Sequence, residues 1–330
     1  MKRFEYAAPR SEAEIAQLLA PEYGKTEILA GGTDLVELLK KMVVTPDRVV
    51  NIMEVDSLKT LESLPDGSFR IGAAVTLDDL AASPYVDDYP ALAQAIAGIA
   101  SMQLQAQGTI GGDLCHRAQC WFFRRGEPLL APHRDAWGER DDRYHAIFDN
   151  EGPAKYVSGS RLGPALIALG AQLRIVGPKP DESSLVPASQ FFRKPKHDRQ
   201  RETILQSDQF LSHIILPPAD GRLSGTYEVR SSAGPDYPLA AASCAFRHSG
   251  GVVREITIVL GQVAPVPYVA LDAMDAMLGM PIDATTVERA AEAAIANARA
   301  LNQNASKIQW AKVAVKRSIL VAARLDTGGF

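Results

Sequence analysis

The sequence predicts an α+β protein of two domains, and three observations support this. The 330 residues suffice for two domains of ordinary size. In the first half, short strand-like segments alternate with amphipathic helical segments. In the second half, strand-like segments precede three alanine-rich helical segments. We place the boundary at about residues 178–190, so that the first domain covers residues 1–177 and the second covers residues 190–330.

The composition is that of an ordinary globular protein, with 46% hydrophobic and 22% charged residues. A formal net charge of −4 gives no indication of nucleic acid or an anionic membrane as a partner. The longest apolar stretches are far too short to span a bilayer. No apolar region follows the basic N-terminus as in a secretory signal, and three cysteines cannot form a disulfide framework. We therefore expect a cytoplasmic protein.

The first domain shows regular elements separated by clear turn signals. Ser11 and Glu14 match a capping box at the start of the first helix, and Thr76 is a predicted N-cap. The elements predicted from apolar periodicity are helices at 11–20, 33–42, 76–83, 91–106 and 162–170, and strands at 26–30, 48–52, 69–75 and 171–177.

Residues 115–157 interrupt this pattern and are predicted to be a long insertion. The segment is polar, mixed in charge and without a sustained period. Its aromatic residues are expected to anchor it, namely Trp121, Phe122, Phe123, Tyr144 and Phe148. Loops of this length in compact domains are usually functional or mobile.

The second domain reads more simply. Ser249-Gly250-Gly251 separates two strands and predicts an antiparallel hairpin. Residues 191–206 are rich in basic side chains and are expected to form an exposed connection. The other predicted elements are strands at 210–216, 239–247 and 252–263, and helices at 267–278, 284–301 and 309–324.

Two Gly-Gly loops are the strongest functional signal. The first loop is AGGTDL at residues 30–35 and the second is GTIGGD at residues 108–113. Tandem glycines allow the backbone to approach a ligand closely, and a strand followed by Gly-Gly and a helix start is a recurrent phosphate site. The alternatives are a tight strand-to-helix turn in the first loop and a bend in a buried strand in the second.

A metal site is one alternative chemistry. Cys115 and Cys120 lie near His116, His133 and His145. An iron–sulfur cubane needs four cysteine ligands, and the zinc spacing C-x-x-C is absent. We therefore predict no metal and interpret the two cysteines as reduced residues of a packed loop.

Nucleophilic catalysis is the second alternative. The sequence has no G-x-S-x-G elbow. Cys115 and His116 are adjacent, and adjacent side chains on an extended chain diverge. We predict no catalytic side chain.

Flavin binding across both loops is the third hypothesis. A cofactor performs the redox chemistry while the protein supplies binding and orientation. This would account for the lack of an acid–base constellation in the sequence.

The ordered set of motifs resembles the FAD-binding subunits of molybdenum hydroxylases. These include the medium subunits of carbon monoxide dehydrogenase, the flavin subunits of bacterial xanthine and aldehyde dehydrogenases, and the β-subunit of 4-hydroxybenzoyl-CoA reductase. The motifs are the two loops, IGAAVTLDDL at 71–80, YEVRSSAGPDYPLAAAS at 227–243 and VLGQVAP at 259–265. The resemblance covers nearly the whole chain and implies a PCMH-type, vanillyl-alcohol-oxidase-like FAD domain of two α/β subdomains. It also implies a C-terminal domain with an antiparallel sheet and helices.

The resemblance implies which residues contact FAD. The first loop would hold the pyrophosphate through its amides and Thr33, and the second loop would hold the other side. Leu114 and Cys115 would lie beside the isoalloxazine ring. The residues expected at the cofactor are Leu29, Ala30, Gly31, Gly32, Thr33, Asp34, Leu35, Ala73, Thr76, Thr109, Ile110, Gly111, Gly112, Asp113, Leu114, Cys115, Ser160 and Asp236.

Two positions depart from the family pattern. Asp113 stands where relatives have Asn, and a carboxylate near pyrophosphate is unfavourable unless it faces a hydroxyl or a cation. Arg161 stands where an Asp of the relatives contacts the flavin's sugar chain, so Ser158 or Ser160 would replace that contact. Arg230 and Asp236 fall in the segment that approaches the flavin in relatives, and the alternative for both is a surface ion pair.

The insertion resembles the segment that carries an extra 4Fe–4S cluster in some relatives. Of that ligand set Cys120 remains, so we predict that the insertion persists without its cluster. The chain would be the FAD-carrying electron-transfer subunit of a hetero-oligomeric molybdenum hydroxylase. Its partners would be a molybdopterin-containing large subunit, a 2Fe–2S small subunit and a terminal acceptor such as NAD or oxygen. A stand-alone FAD oxidoreductase and a scaffold that has lost FAD are the alternatives.

Overall fold

Three β-sheets organise the chain in the computed structural model, which describes residues 1–130 and 140–328. Helices pack on each sheet, so the predicted α+β class is confirmed. Within the described residues, no helix is both long and apolar enough to span a membrane.

The first sheet is parallel and has the strand order β1-β3-β2. Ser11 caps the first helix by accepting a hydrogen bond from the Glu14 amide at 3.2 Å, as predicted. The Glu14 carboxylate accepts a hydrogen bond from the Arg10 amide and not from the Ser11 amide that a capping box requires. The elements are β1 (Glu5–Ala7), α1 (Glu12–Leu18), β2 (Thr26–Leu29), α2 (Leu35–Lys40), β3 (Arg48–Asn51) and a 3-10 turn at Asp56–Lys59.

The second sheet is antiparallel and has the order β4-β5-β8-β6-β7. Its helices cover an apolar core that includes Ile71, Leu92, Leu166 and Ile214, each of them fully buried. Its strands are β4 (Leu61–Ser63), β5 (Phe69–Gly72), β6 (Gln172–Val176), β7 (Ser183–Pro187) and β8 (Phe210–Leu216). Its helices are α3 (Leu77–Ala82), α4 (Pro90–Gly98), α5 (Met102–Gln107), α6 (Ile110–Leu114), α7 (Gly163–Ala168) and α8 (Ala188–Phe191), with a 3-10 turn at Pro84–Asp88.

Strand β8 belongs to the second sheet, and its position indicates where the first domain ends. It pairs with β5 on one side and with β6 on the other. A boundary at residues 178–190 would separate β8 from both of its partners. We therefore propose that the first domain ends between Leu216 and Leu223, the first residue of the next strand.

The third sheet is antiparallel and has the order β12-β11-β10-β9. Gly250 and Gly251 form the predicted hairpin turn with φ of 61° and 79°. These positive values match a two-residue type I′ turn, which other residues adopt reluctantly. The elements are β9 (Leu223–Val229), β10 (Ala240–Ser249), β11 (Val252–Gly261), β12 (Tyr268–Val269), α9 (Leu271–Met277), α10 (Ala284–Ile295) and α11 (Ser306–Ala322).

The described part of the insertion packs against both halves of the chain. Its Phe123 and Tyr156 join an apolar cluster with Leu38 of α2. On the other side, the Asp142 carboxylate accepts hydrogen bonds from the amides of Asn302 and Gln303 at 2.9 and 2.8 Å. The insertion therefore bridges the first sheet and the C-terminal helices.

Candidate cofactor site

A cleft between the first and second sheets brings the two glycine loops together. Residues Ala30–Leu35 of the first loop and Thr109, Gly111 and Gly112 of the second line it. Ala73 and Cys115 lie in the same lining. Loops that are distant in sequence thus form one site, as the flavin hypothesis requires.

Gly31 marks where the two loops meet. A Cβ atom on Gly31 would lie 1.5 Å from the carbonyl oxygen of Gln107, the residue before the second loop. Gly32 has a φ of +75°, which also favours glycine. The first loop can therefore approach the second only without side chains.

The amides of the first loop fit an anionic ligand. Among the described residues, the N–H groups of Gly31, Gly32, Thr33 and Asp34 donate to no acceptor. Clustered amides without partners are typical of sites that bind phosphate. The first loop is therefore suited to bind a phosphate group.

The glycines of the second loop allow close packing beside the cleft, and their amides are already hydrogen-bonded. Its glycines lie in the short helix α6, where the Ile110 and Gly111 amides donate to the carbonyls of Val75 and Ala73. The Gly112 amide donates to the Thr109 hydroxyl at 3.0 Å. A Cβ on Gly111 would lie 2.6 Å from the Cβ of Ala73. Glycine therefore lets α6 pack closely on the second sheet beside the cleft.

Asp113 points away from the cleft. Its carboxylate accepts hydrogen bonds from the Ser160 hydroxyl at 2.6 Å and from the amides of Leu162 and Arg161 at 2.9 and 3.1 Å. It lies outside the cleft lining, as does Ser160. A carboxylate at position 113 is expected to need a hydroxyl or a cation as partner. Ser160 supplies that hydroxyl.

Five other residues expected at the cofactor lie outside the cleft lining. Ile110 and Leu114 are buried in the core of the second sheet, with exposed fractions of 0% and 1%. Thr76 caps α3 by accepting from the Asp79 amide at 3.1 Å. Leu29 belongs to β2, and Asp236 is exposed. Helix geometry explains Leu114, because α6 presents its glycines to the cleft and its aliphatic residues to the core.

Cys115 lines the cleft beside the second loop. Burial raises the pKa of its thiol to about 12, so the group is a neutral thiol at physiological pH. Reactive cysteines depend on the thiolate form. Cys115 is therefore suited to contact a ligand without reacting.

The floor of the cleft contains residues that the sequence analysis missed. The Arg117 Nε lies 3.1 Å from a Glu202 carboxylate oxygen, and both side chains are buried. Arg201 forms a second ion pair with Glu27. Glu202 and Thr203 are buried, so the prediction of an exposed connection over residues 191–206 is wrong for this part. The reason is that its charges are neutralised by partners more than 80 residues away in sequence.

Asp34 of the first loop organises the neighbouring cations. It accepts from the Arg117 amide at 2.9 Å and from the Arg124 guanidinium at 2.7 Å. The His116 Nδ1 lies 3.6 Å away. Burial alone would raise the pKa of Asp34, but His116 and Arg124 outweigh it and hold the pKa below its ordinary value. Asp34 is therefore a charged anchor for the insertion.

Arg161 also lies away from the cleft. Its guanidinium forms a buried ion pair with Glu228 of β9 at 2.6 Å and donates to the Gly98 carbonyl at 2.6 Å. Arg230 donates to the same carbonyl at 2.8 Å. This cluster joins α4 to the third sheet, and the Arg230–Asp236 surface pair is not among the described ion pairs.

Cys120 of the insertion contacts a histidine. The Cys120 Sγ lies 3.3 Å from the His145 Nε2. Over residues 1–130 and 140–328, no three His, Cys, Asp or Glu side chains group as metal ligands would. His133 falls outside the described residues.

Comparison with known proteins identifies the family. The model of the FAD binding domain in molybdopterin dehydrogenase matches residues 2–219, and that of the CO dehydrogenase flavoprotein C-terminal domain matches residues 225–313. The chain is 29% identical over 329 residues to the aldehyde oxidoreductase FAD-binding subunit PaoB of Escherichia coli, covering 98% of this chain and 99% of that protein. It is 27% identical to the carbon monoxide dehydrogenase medium chain of Hydrogenophaga pseudoflava, covering 89% and 86%.

A solved structure agrees with these relatives. Carbon monoxide dehydrogenase from Hydrogenophaga pseudoflava superposes with a TM-score of 0.76 at 28% identity, covering 98% of this chain and 99% of that one. The cleft has the glycine loops and free amides that a dinucleotide needs. The chain therefore belongs to the family of FAD-binding subunits of molybdopterin dehydrogenases and is a flavoprotein oxidoreductase subunit whose cofactor is FAD.

Proposed function

We propose that this chain is the electron-transfer subunit of a multi-subunit molybdenum hydroxylase. Its partners would be a large subunit with molybdopterin and a small subunit with 2Fe–2S centres. Bound FAD would supply the redox chemistry, taking electrons from those centres and passing them to a terminal acceptor such as NAD or oxygen. Two relatives are named as medium chains of carbon monoxide dehydrogenase, which supports the assembly.

The single observation that carries the proposal is the group of unbonded amides at Gly31–Asp34, in the cleft that the glycines of the second loop also line. These amides and the Thr33 hydroxyl would bind the pyrophosphate. The Cys115 side chain would lie along the cofactor. The residues proposed to touch FAD are Ala30–Leu35, Ala73, Thr109, Gly111, Gly112 and Cys115.

The side chains of the cleft favour a subunit over a stand-alone enzyme. A stand-alone oxidoreductase would need a positioned acid or base for its own substrate. Asp34, Glu27 and Glu202 are each paired with an arginine. These three carboxylates therefore stabilise the cleft as ion-pair partners and do not act as an acid or base. We place the complex in the cytoplasm.

The direct test is a visible spectrum of the purified full chain. We expect a flavin spectrum, or its recovery after incubation with FAD. A colourless chain that cannot be reconstituted would refute FAD carriage and favour a scaffold that has lost its cofactor. Turnover of a small substrate by the chain alone would instead favour the stand-alone enzyme.

Iron analysis tests the insertion. We expect the purified chain to contain no cluster iron. About four iron atoms per chain, the content of one cubane cluster, would contradict this prediction.

A further inference from the structure

Tyr237 connects the C-terminal half of the chain to the cofactor cleft. It lies in the segment 231–239, which joins β9 to β10. Its hydroxyl lies 2.5 Å from the Nε2 of His116, a residue of the cleft lining. The two rings meet edge to face with centroids 5.6 Å apart.

The partners of the His116 Nδ1 hold the ring with its Nε2 toward Tyr237. Its Nδ1 lies 2.9 Å from the Arg117 carbonyl oxygen. A carbonyl can only accept, whereas the Arg124 guanidinium, 3.3 Å from the same nitrogen, can only donate, so these neighbours fit either tautomer of the ring. A tyrosine hydroxyl both donates and accepts. The hydrogen bond between Tyr237 and Nε2 therefore forms with either tautomer.

The imidazole is held in place from several sides. A Cβ on Gly159 would lie 2.5 Å from Nδ1, so glycine is needed there for the ring to pack. Asp34 lies 3.6 Å from Nδ1, and one Arg124 nitrogen lies 3.3 Å from it. The His116 side chain is thus held in position beside the first loop, where Tyr237 can form a hydrogen bond with it.

The segment is anchored at its C-terminal end, where Pro238 is buried and the Leu239 amide donates to the Val229 carbonyl at 2.8 Å. Residues 231–233, Pro235 and Asp236 are exposed, whereas Tyr237 is half-buried. The Tyr237–His116 hydrogen bond links the segment to the cleft lining.

We infer that His116 and Tyr237 form a latch that holds the segment 231–239 against the FAD cleft and thereby slows release of the cofactor. Both are positioning residues and neither takes part in electron transfer. The inference rests on the proposed function, because it assumes that FAD occupies the cleft.

The test compares FAD release from full-length variants. Losing one hydrogen bond of ordinary strength corresponds to a roughly five- to tenfold change in rate. We expect Tyr237→Phe and His116→Leu each to speed FAD release by about this factor, measured as recovery of free flavin fluorescence after dilution. His116→Gln can both donate and accept, so it should restore a rate close to that of the wild type. The double variant Tyr237→Phe/His116→Leu should release FAD no faster than either single variant.

Tyr85→Phe is the matched control, because Tyr85 is 41% exposed and its hydroxyl has no hydrogen bond among the described residues. It should leave the rate unchanged. Hydrogen exchange of the amides of residues 231–239 in the FAD-free chain gives a readout that does not depend on the cofactor. We expect faster exchange in Tyr237→Phe.

The outcomes separate the two proposals. A wild-type chain that cannot hold FAD refutes the proposed function, and exchange then still decides whether the hydrogen bond restrains the segment. A wild-type chain that holds FAD, with unchanged release from Tyr237→Phe and His116→Leu, overturns the latch. Additive effects in the double variant would also overturn it.

Discussion

The carboxylate of Asp113 accepts a hydrogen bond from the Ser160 hydroxyl at 2.6 Å, and two backbone amides complete its shell. Relatives are expected to have Asn at this position. The carboxylate ties α6 to the turn before α7 and faces away from the first loop. The departure from the family pattern therefore places no negative charge in the cleft that we propose to hold the pyrophosphate.

The change Asp113→Asn should weaken the protein, although it restores the expected family residue. An amide has one acceptor oxygen, and its NH2 group would face a donor of Ser160, Arg161 or Leu162. We expect a loss of about 1–3 kcal/mol in the free energy of unfolding, with little change in FAD affinity. Urea denaturation and an FAD titration measure the two quantities. Asp236→Asn is the control, since Asp236 is exposed, and a larger effect at Asp236 would contradict this account.

Gly31→Ala should abolish FAD binding. The new methyl group would lie 1.5 Å from a backbone oxygen, so the two loops must separate. Overpacking typically costs about 1–3 kcal/mol or more, and here it falls on the cofactor site. Gly152→Ala is the control because nothing lies within 4 Å of its Cβ position. Retention of FAD by Gly31→Ala in a spectrum of the purified variant would show that the loops are not in contact.

Removing one partner of the Arg161–Glu228 pair should be strongly destabilising. Both side chains are almost fully buried, with exposed fractions of 5% and 6%. Without Arg161, the contact that Glu228 keeps among the described residues is the longer one to Arg230 at 3.6 Å, and breaking a buried pair costs on the order of 3–5 kcal/mol. We expect this loss for Arg161→Met in urea denaturation, and a smaller loss for Arg161→Met/Glu228→Gln. If the double variant were as unstable as the sum of the single variants, the charge pairing would not be the cause.

Lys307 should make stability depend on pH. Its amine donates to the Tyr144 carbonyl at 2.7 Å, and burial lowers its pKa from 10.5 to about 7. Between these two values the unfolded chain binds more protons than the folded chain, so the free energy of unfolding rises with pH. Below the lower value both states are charged and the cost of burying the charge is fully present.

Lys307→Met removes this dependence. From pH 7 to pH 9.5, the unfolding free energy of the wild type should rise by roughly 3 kcal/mol relative to that of the variant. Lys316→Met is the control, because Lys316 is 40% exposed and paired with Glu288. A pH-independent difference for Lys307→Met would show that Lys307 remains charged when folded.

Much of the fold follows from local sequence. The Ser11 and Thr76 caps, the Gly250-Gly251 turn and the strands around the first loop lie where their patterns predict. The run at 91–106 is instead two helices, because Ser101 caps α5 by accepting from the Leu104 amide. Strand β9 was missed because its burial depends on packing against α11.

The sequence by itself determined the two glycine loops, because glycine requirements and helix caps act over a few residues. Its ordered motifs also determined the family, and with it the FAD cofactor, through their resemblance to known subunits. Tertiary structure decided which loop residues face the cleft and where Asp113, Arg161 and Tyr237 point. It also decided which charges form the cleft floor. The physical reason is that a buried charge or hydroxyl needs a partner, and Ser160, Glu228, Glu202 and His116 are brought to these residues only by folding.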